Sequence, residues 1–394
     1  MIDFDQAIAL IGGLAGPIGT EKVALVDAAG RILAQDLVAR SNAPRQAVSA
    51  MDGYAVIEDT TSPGIWLEVV GESRAGASFG GALAAGQAAR IFTGAPLPTG
   101  ADYVIMQEYA ERDGARVRFA EGYGPAGHVR AAGSDFAEGA LLVPAGTRLT
   151  PRAMVSAAAA DIAQVKVARQ PRVAIIGTGD ELAPPGSAHE RPDAIPESVS
   201  CGVAAMAEAQ GGQVVLRQTA EDQLDALIRA AGEALEVSDL VIVTGGASVG
   251  ERDFAKPMFE AHGLALIFNK VAIKPGKPVW LGRARGKYVL GLPGNPTSAM
   301  VTATLFLKPL MARMQGASID TVQRWRRMPL AAPLYATGSR ETFARARWEQ
   351  DGLTPIGNQD SGAQAALLAA DWLIRCPAGQ PGLAQGEWVN ALEF

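Results

Sequence analysis

The sequence predicts a multidomain α/β protein, with a central, mostly parallel α/β sheet domain, two small β domains and a discontinuous N-terminal domain of helical and extended chain. The length of 394 residues corresponds to several domains at about 150 residues each. Hydrophobic residues make up 48% of the chain and charged residues 19%, which is enough apolar surface to bury several cores. The third observation is a change of periodicity, because strands alternate with helices only in the middle of the chain.

The discontinuous N-terminal domain is assigned to residues 1–45 and 145–170. Residues 4–14 have the spacing of an amphipathic helix, and apolar residues in the following segment indicate a second helical or extended piece. An Ala-rich helix is predicted at residues 151–163, just after the chain leaves a β domain. We therefore expect this helix to pack against the N-terminal segment.

Residues 46–144 are predicted to form a small β domain. Short alternating stretches are separated by turns rich in Gly and Pro, which is typical of an all-β domain. The predicted strands carry the sequences YAVIE, WLEVV, AARIF, DYVIMQEY, RVRF and ALLVP. Residues 323–394 return to short strands and turns, and we assign them to a separate C-terminal β domain.

Residues 171–322 are predicted to form the α/β domain. The strands are predicted at RVAII, QVVLR, DLVIV, ALIF and YVLGL, and the helices at residues 199–210, 222–235, 254–262 and 297–314. Apolar strands separated by helices indicate a mostly parallel sheet, which binds ligands in the loops at the carboxyl ends of its strands. We therefore expect the functional residues in the glycine-containing loops of this domain.

The composition limits the classes of function. Thirty-five Lys and Arg against 41 Asp and Glu give a net charge of −6, which argues against nucleic acid or an anionic membrane as the main partner. The two cysteines and three histidines stand singly, so neither a disulfide framework nor a zinc motif is indicated. Any metal should be a hard ion such as Mg²⁺, bound by carboxylates. We find no basic leader and no apolar run of about 18 residues, and expect a cytoplasmic protein.

The most informative loop follows strand DLVIV and contains Gly245, Gly246, Ser248, Gly250 and Asp253. Its glycines let backbone N–H groups approach an oxyanion, and its acid can hold a cation or cap the next helix. The glycine spacing matches a Walker loop, but an acid, Glu251, stands where that loop requires Lys. A strand-to-helix turn without a ligand is the alternative interpretation.

The first strand of the same sheet ends in the sequence GTGDEL. A dinucleotide-binding fingerprint requires a third glycine where Leu182 stands, so nicotinamide binding is not indicated. Asp180 and Glu181 could bind Mg²⁺, which takes one or two carboxylates together with ligand oxygens, although two solvated acids at a turn are the simpler interpretation. Asp222, after strand QVVLR, is expected at the same edge of the sheet.

Three lysines, Lys270, Lys274 and Lys277, lie in the segment KVAIKPGKP between two strands. In an acidic chain, lysines on a segment made rigid by Pro predict an anion site, and a solvated basic loop is the alternative. The next turn, GLPGNPTS, again offers N–H groups at the start of a helix. It contains Pro293, Gly294, Asn295, Pro296 and Ser298.

Six motifs occur in an order and spacing that resemble one known family. They are SAMDGYA, TGAPLP, GTGDEL, GGASVGERD, KPGKP and GLPGNP, of which the first two would on their own be a hairpin turn and a strand end. Together they cover nearly the whole chain and resemble the molybdopterin molybdenumtransferase family, which also includes the C-terminal domain of gephyrin. The chain departs from the family before its predicted helix at Val199, where the family usually has Asn.

The resemblance implies an enzyme that inserts molybdate into adenylylated molybdopterin with Mg²⁺ or a similar ion, releasing AMP and the molybdenum cofactor. The catalytic residues it implies are Asp52, Thr93, Asp135, Glu181, Asp222, Asp253, Lys270 and Lys274, with Glu181 and Asp253 as metal ligands. Substrate binding is expected at Gly245, Gly246, Ser248, Gly250, Lys277, Pro293, Gly294, Asn295, Pro296, Ser298, Arg340, Arg345 and Ser361. Arg340 and Arg345 are implied by the family's R-x-E-F-x-R pattern, which this chain matches with its acid displaced by one position. Ser361 resembles a serine of the family in the following turn, and the resemblance implies that these three residues contact molybdate.

The resemblance also implies an elongated homodimer, whose active site joins the small β domain of one subunit to the α/β domain of the other. It further implies contact with a molybdopterin adenylyltransferase. That adenylyltransferase activity, which uses ATP, is itself an alternative function, because the two enzymes share the α/β domain. The motifs in the small β domain favour the molybdenumtransferase. A non-enzymatic scaffold is the third interpretation, and no linker or interaction tail supports it.

Overall fold

The computed structural model describes residues 1–245 and 254–394, and a mixed sheet forms the centre of the α/β domain. The strand order is Gln213–Ala220, Arg172–Thr178, Leu240–Thr244, Lys287–Leu292, Trp280–Ala284 and Ala265–Phe268. The first four strands run parallel. Trp280–Ala284 is antiparallel to Lys287–Leu292, and Ala265–Phe268 is in turn antiparallel to Trp280–Ala284. The predicted fold class is confirmed, although strand Trp280–Ala284 was not predicted.

Helices cover both faces of this sheet. Val173 and Ile175 point into one core, whereas Ala174 and Ile176 point into the other, as the two-residue period of a strand requires. The first face is covered by helices Phe4–Gly12, Val199–Ala209, Pro296–Thr302 and Lys308–Met314, and the second by Leu224–Val237 and Pro257–Glu260. Because both faces are buried, the strands read as continuous apolar runs.

The N-terminal helix Phe4–Gly12 belongs to the first of these cores. Asp3 caps it, since its carboxylate accepts a hydrogen bond from Gln6 N at 2.8 Å while the Gln6 side chain accepts one from Asp3 N at 3.1 Å. Phe4 and Ile11 are buried together with Met311 of helix Lys308–Met314. The assignment of residues 1–45 to one domain is therefore corrected, because the apolar face of this helix fills the core beneath the central sheet.

The discontinuous N-terminal module consists of two strand pairs and a helix. Thr20–Ala24 pairs with Gln164–Ala168, and Leu37–Val38 pairs with Leu141–Val143. Helix Pro151–Ala159 packs over them, as predicted, with Ala157 in their core. Strand Leu141–Val143 was assigned to the small β domain and is placed here instead, because its backbone hydrogen bonds go to Leu37–Val38.

The small β domain contains a sheet with the strand order Tyr103–Met106, Gly53–Val56, Gln87–Ile91, Leu67–Ser73, Arg116–Phe119 and Ala110–Asp113. A separate short pair, Val48–Ser49 with Val129–Arg130, lies beside it. Gly53 faces the neighbouring strand so closely that a Cβ would lie 2.0 Å from the Ile105 carbonyl oxygen. The motif around Asp52 is therefore held at the entry to a central strand of this sheet.

The C-terminal sheet extends beyond the C-terminal domain. Its strand order is Ile273–Lys274, Glu341–Glu349, Trp372–Cys376, Trp388–Glu393 and Arg326–Pro329, with Gly352–Pro355 paired to Glu341–Glu349. The first strand comes from the lysine segment, residues 269–279, of the α/β domain. A short helix, Gln364–Leu368, precedes strand Trp372–Cys376. The lysine segment is thus shared by two domains.

The predicted helix at residues 297–314 is continuous but contains a π-helical stretch at Ala303–Leu307. Pro309 has no N–H group, so the Leu305 carbonyl lacks its α-helical donor. Gln323, which is 9% exposed, replaces that donor, because its Nε2 lies 2.9 Å from Leu305 O. A side chain from outside the helix therefore supplies the hydrogen-bond donor that the backbone carbonyl lacks at the point where the helical hydrogen bonds are interrupted.

The remaining elements are short. Turns of 3₁₀ helix occur at Leu25–Asp27, Glu58–Thr60, Gln107–Tyr109, Ala188–Glu190 and Ile319–Thr321, and the two-residue strands Leu182–Ala183 and Ile195–Pro196 pair with each other. In residues 1–245 and 254–394, none of the helices has the length and apolar character needed to cross a bilayer.

We expect Gln323→Leu to lower the free energy of unfolding by about 1–3 kcal/mol, because the buried Leu305 carbonyl loses its donor. Urea unfolding of the full chain, followed by tryptophan fluorescence, measures the change. Gln213→Leu is the matched control, since Gln213 lies exposed on the edge strand. Equal effects of the two substitutions would contradict this explanation of the π-helical stretch.

Candidate active site

The turns that follow the parallel strands meet at one edge of the central sheet. Thr244 is in register with Gly177 on one neighbouring strand and with Leu292 on the other, so the next turns begin at the same level. They enclose a cleft of about 890 Å³. This edge is where open α/β sheets bind ligands.

The cleft brings together many of the predicted residues. Those that line it are Glu181, Asp222, Gly245, Lys270, Lys277, Pro293, Gly294, Asn295 and Pro296. Acids and lysines that are far apart in sequence therefore face one space. Such a cleft can hold an anion through the lysines and a cation through the acids.

Two glycines allow the turns at the base of the cleft to touch. A Cβ on Gly294 would lie 3.2 Å from Gly245 Cα. Gly245 has a φ of +95°, and a Cβ there would lie 2.6 Å from the Thr178 carbonyl oxygen. The absence of a Cβ at these two positions therefore brings the two turns into contact at the base of the cleft, where Gly245 N donates to the Leu292 carbonyl at 3.4 Å.

Glu181 is the carboxylate that the glycine turn directs into the cleft. A Cβ on Gly179 would come within 2.7 Å of both Glu181 carboxylate oxygens, so the side chain occupies space that any other residue at 179 would fill. Asp222 stands on the neighbouring turn, where its N–H donates to Asp180 Oδ1 at 2.9 Å. Within the described residues, no group of three or more His, Cys, Asp or Glu could enclose a metal ion.

The lysine segment lies on the other side of the cleft. Lys270 and Lys277 line it, and Lys274 is exposed in the short strand that pairs with Glu341 and Thr342. Gly276, with a φ of +99°, fits against helix Pro296–Thr302, because a Cβ would lie 2.1 Å from Thr302 Cγ2. The segment is therefore rigidly placed, as its Pro and Gly content predicted.

Arg345 is not among the residues that line the cleft. It is 1% exposed, and its Nη2 donates to the carbonyl oxygens of Asn358 at 3.1 Å and Asp360 at 3.0 Å. The turn it holds carries Ser361, whose hydroxyl accepts a hydrogen bond from Asn295 Nδ2 at 3.0 Å. The guanidinium of Arg345 is enclosed by the turn that it orders, and its contact with molybdate stays a prediction.

Two other predicted residues also lie outside the cleft lining. Ser298 is 5% exposed in helix Pro296–Thr302, and its carbonyl accepts a hydrogen bond from Thr302 Oγ1 at 2.7 Å. Its role in substrate binding stays a prediction. Arg340 is partly exposed, and its Nη1 donates to the Ile273 carbonyl at 3.2 Å. Arg340 therefore lies next to Lys274, immediately before strand Glu341–Glu349, which pairs with the lysine segment.

Asp52 and Thr93 form a second cluster, in the small β domain. Asp52 Oδ1 accepts hydrogen bonds from Thr93 N at 2.7 Å and from Thr93 Oγ1 at 2.8 Å. The pKa of the Asp52 carboxyl is lowered, chiefly by the hydrogen bond from the Thr93 backbone N–H and next by that from the Thr93 hydroxyl. The charge of Arg90 lowers this pKa further, and burial opposes the shift. The carboxylate is thus kept charged and oriented.

The remaining predicted residues fall elsewhere. Asp135 is exposed, and its N–H donates to the Ala43 carbonyl at 3.0 Å in a turn of the N-terminal part of the chain. Gly246, Ser248, Gly250 and Asp253 lie outside the described residues. Within one chain, neither Asp52, Thr93 nor Asp135 is among the residues that line the cleft.

Sequence reasoning missed several residues of the cleft, including Thr178, Glu197, Pro278 and Gln364. Glu197 is 6% exposed, and its carboxylate accepts hydrogen bonds from Ser200 N, at 2.8 Å, and from the Ser200 hydroxyl. An acid three residues before a serine at a helix start could have indicated this cap. Gln364 had no such signal, because it comes from the C-terminal domain.

Models of three protein regions match the chain in succession. The MoeA N-terminal region (domain I and II) matches residues 2–160, and a probable molybdopterin binding domain matches residues 174–313. The MoeA C-terminal region (domain IV) matches residues 327–394. The second match contains the turns and the lysine segment that enclose the cleft.

Proteins called molybdopterin molybdenumtransferase align with nearly the whole chain. That of Haemophilus influenzae is 37% identical over 407 residues, covering 100% of this chain and 99% of the relative. That of Nostoc sp. is 34% identical over 388 residues, covering 95% and 89%. A solved structure of a molybdopterin biosynthesis MoeA protein from Pyrococcus horikosii is 32% identical, has a TM-score of 0.84, and covers 100% of this chain and 99% of its own.

We expect Thr93→Val to raise the pKa of the Asp52 carboxyl toward its ordinary value, since one of its two Thr93 donors is lost. Carboxyl ¹³C NMR titration measures the shift. Because the folded-state pKa is lowered, the stabilisation is present above the unfolded-state pKa and is lost as the pH falls through the folded-state pKa. Thr61→Val, which removes a hydroxyl that bonds Ile57 O, is the control, and an unchanged Asp52 titration in Thr93→Val would contradict the prediction.

Proposed function

The chain belongs to the molybdopterin molybdenumtransferase family, and we propose from this premise that it inserts molybdate into adenylylated molybdopterin, releasing AMP and the molybdenum cofactor. It is a transferase of molybdenum cofactor biosynthesis. The observation that carries the proposal is the alignment of relatives with this activity in their names over the full length of the chain, including the cleft.

Two alternatives are less well supported. An adenylyltransferase would need only the α/β domain, but the chain also matches the MoeA N-terminal and C-terminal regions. A scaffold without enzymatic activity would have no need for acids and lysines that converge on one cleft. The finding that Gln364 of the C-terminal domain lines the same cleft favours a reaction that uses this domain together with the α/β domain.

The cleft offers two kinds of contact to the phosphates of the substrate. Gly294 lines the cleft, where its backbone N–H would bind a phosphate oxygen, whereas Gly245 N donates to the Leu292 carbonyl at 3.4 Å. Lys277 lines the cleft and Lys274 lies exposed on the same segment, and both would hold the AMP and pterin phosphates. Because these donors are in place before the reaction, they can stabilise charge that develops on the phosphate oxygens.

Mg²⁺ is the cofactor that we propose for this cleft. Glu181, which the Gly179 turn presents as an accessible carboxylate, would hold it together with Asp253 and oxygens of the substrate. The donor set fits, because Mg²⁺ needs only one or two carboxylates when phosphate oxygens complete its shell. A bound Mg²⁺ would polarise the phosphoryl linkage that is broken when AMP leaves.

Molybdate would bind at the C-terminal side of the cleft. Lys270 lines the cleft, and Arg340 lies beside the same segment, so both can offer positive charge to an oxyanion. Ser361 adds a hydroxyl on the turn that Arg345 holds in place. Arg345 therefore acts on this part of the site by positioning the turn.

A homodimer would complete the site. Asp52 and Thr93 are ordered as if to meet a ligand, yet they do not line the cleft of their own chain. We propose that they contact substrate bound to the α/β domain of a partner subunit, and that the substrate arrives by contact with a molybdopterin adenylyltransferase. This arrangement would explain why residues of the small β domain belong to the same family motifs as the cleft.

We expect the purified chain, given adenylylated molybdopterin, molybdate and Mg²⁺, to release AMP, and Glu181→Gln to reduce kcat by about 100-fold or more. The substitution removes the charge that holds Mg²⁺ without changing the shape of the side chain. AMP release followed by chromatography, with molybdenum cofactor formation, measures both effects. Glu190→Gln, an exposed acid close by in sequence, is the matched control.

Consumption of ATP with bare molybdopterin, and no AMP released from the adenylylated substrate, would overturn the proposed reaction. Equal kcat values for Glu181→Gln and wild type would overturn the role of Glu181 alone. Circular dichroism on each variant verifies that it is folded.

We expect heterodimers of Asp52→Ala and Glu181→Ala subunits, purified with two different tags, to recover about half of the wild-type activity, although each parent is inactive. One of their two sites would contain both intact residues if the site is shared between subunits. The control is a dimer purified with the same two tags in which both subunits carry Asp52→Ala. Absence of recovery in a stable heterodimer would show that Asp52 serves its own subunit.

A further inference from the structure

The lysine segment is bound along its backbone by two distant parts of the chain. On one side, Ile2 N donates to the Lys270 carbonyl at 3.1 Å, and Ala272 N donates to the Ile2 carbonyl at 2.8 Å. On the other side, Ile273 and Lys274 pair with Glu341 and Thr342 of the C-terminal sheet. The position of the lysines therefore depends on the start of the chain and on the C-terminal domain.

Arg375 joins these two supports. Its Nη2 donates to Asp5 Oδ2 at 2.7 Å, and its Nε donates to Glu341 Oε1. Asp5 lies three residues after Ile2, and Glu341 is in direct register with Ile273. One guanidinium therefore links the start of helix Phe4–Gly12 to strand Glu341–Glu349, and the lysine segment runs between these two elements.

The surroundings of Arg375 make this contact more than a surface ion pair. Its guanidinium carbon lies 5.0 Å from the centre of the Phe4 ring and 5.7 Å from that of Trp325. The side chains of Arg375 and Glu341 are 24% and 14% exposed, whereas that of Asp5 is 72% exposed. The bond to Glu341 is thus the better shielded of the two, and removing Arg375 would leave a largely buried carboxylate without its charged partner.

The charge of Arg375 is well maintained there. Burial by itself disfavours the charged form, but the hydrogen bonds and charges of Asp5 and Glu341 outweigh it and raise the pKa of the guanidinium above its ordinary value. The contact consequently persists at every pH at which the two acids are ionised.

We propose that Arg375 is a positioning residue for the reaction, acting through the backbone of the lysine segment to place Lys270 at the molybdate end of the cleft. This inference rests on the proposed function of the cleft. An unpaired Glu341 would draw water to the strand beside Ile273, and the pairing that fixes the segment would loosen. Arg375 itself does not line the cleft, so it acts on the anion only through the placement of Lys270, and we expect the change in the binding of molybdate.

The test is steady-state AMP release by the full-length protein with molybdate varied. We expect Arg375→Gln to raise the KM for molybdate about tenfold while kcat stays within about twofold of wild type. Arg347→Gln is the matched control, because Arg347 forms an exposed ion pair with Glu349 on the same sheet. It removes the same charge and should leave both constants unchanged.

A double-mutant cycle separates positioning from general loss of structure. If Arg375 acts through Lys270, Arg375→Gln should add little to the KM of Lys270→Gln. Equal increases in KM in the two backgrounds, or an unchanged KM in folded Arg375→Gln, would overturn the proposal. If Arg375→Gln does not fold, Asp5→Asn, at an exposed side chain, replaces it with an expected increase of about threefold, and an unchanged KM there would likewise overturn the proposal.

The outcome also distinguishes this inference from the proposed function. If the wild-type protein releases no AMP, the proposed function fails whatever the variants do. If the wild type is active and Arg375→Gln has the same KM, only the positioning role is wrong.

Discussion

The close approach of backbones at the carboxyl edge of the central sheet is the constraint on which the cleft depends. The parallel strands end level with one another, so the turns after Thr178, Thr244 and Leu292 crowd into one place. The absence of a Cβ at Gly245 and Gly294 lets those turns meet. Larger residues there would separate the turns and displace every group that they carry, including Glu181 and Asn295.

The second consequence of this geometry concerns charge. A chain with a net charge of −6 must bind an anionic substrate through a local excess of positive charge, and the lysine segment provides it. That segment belongs to two sheets, since its Ile273–Lys274 strand extends the C-terminal sheet. The C-terminal domain also contributes Gln364 to the cleft and, through Arg345, the turn that carries Ser361. The C-terminal domain therefore forms part of the cleft wall.

Much of this arrangement could be predicted, because the signals were local. Apolar runs separated by helices predicted the central sheet, and the position of turns after its strands predicted Glu181, Asp222, Gly245 and Gly294 at one edge. The errors have a common cause. Helix Phe4–Gly12 and strand Leu141–Val143 were placed by neighbours in sequence, whereas their partners are Met311 and Leu37–Val38. Arg345 was assigned from the resemblance to the family, and the structure shows that it donates to the carbonyl oxygens of residues 358 and 360.

The amino-acid sequence by itself determined the fold class, the family and the residue types of the cleft, because these depend on periodicity and on motifs within a few residues of one another. Only the tertiary structure decided which charged groups face the cleft and which instead form the hydrogen bonds that hold its walls in place. Arg345 and Arg375 are both arginines of the C-terminal domain, and both hold other parts of the chain in place. The reason is physical, since the folded chain sets burial and hydrogen-bond partners. Arg345 donates to carbonyl oxygens 13 and 15 positions away, and Arg375 donates to Asp5, 370 positions away.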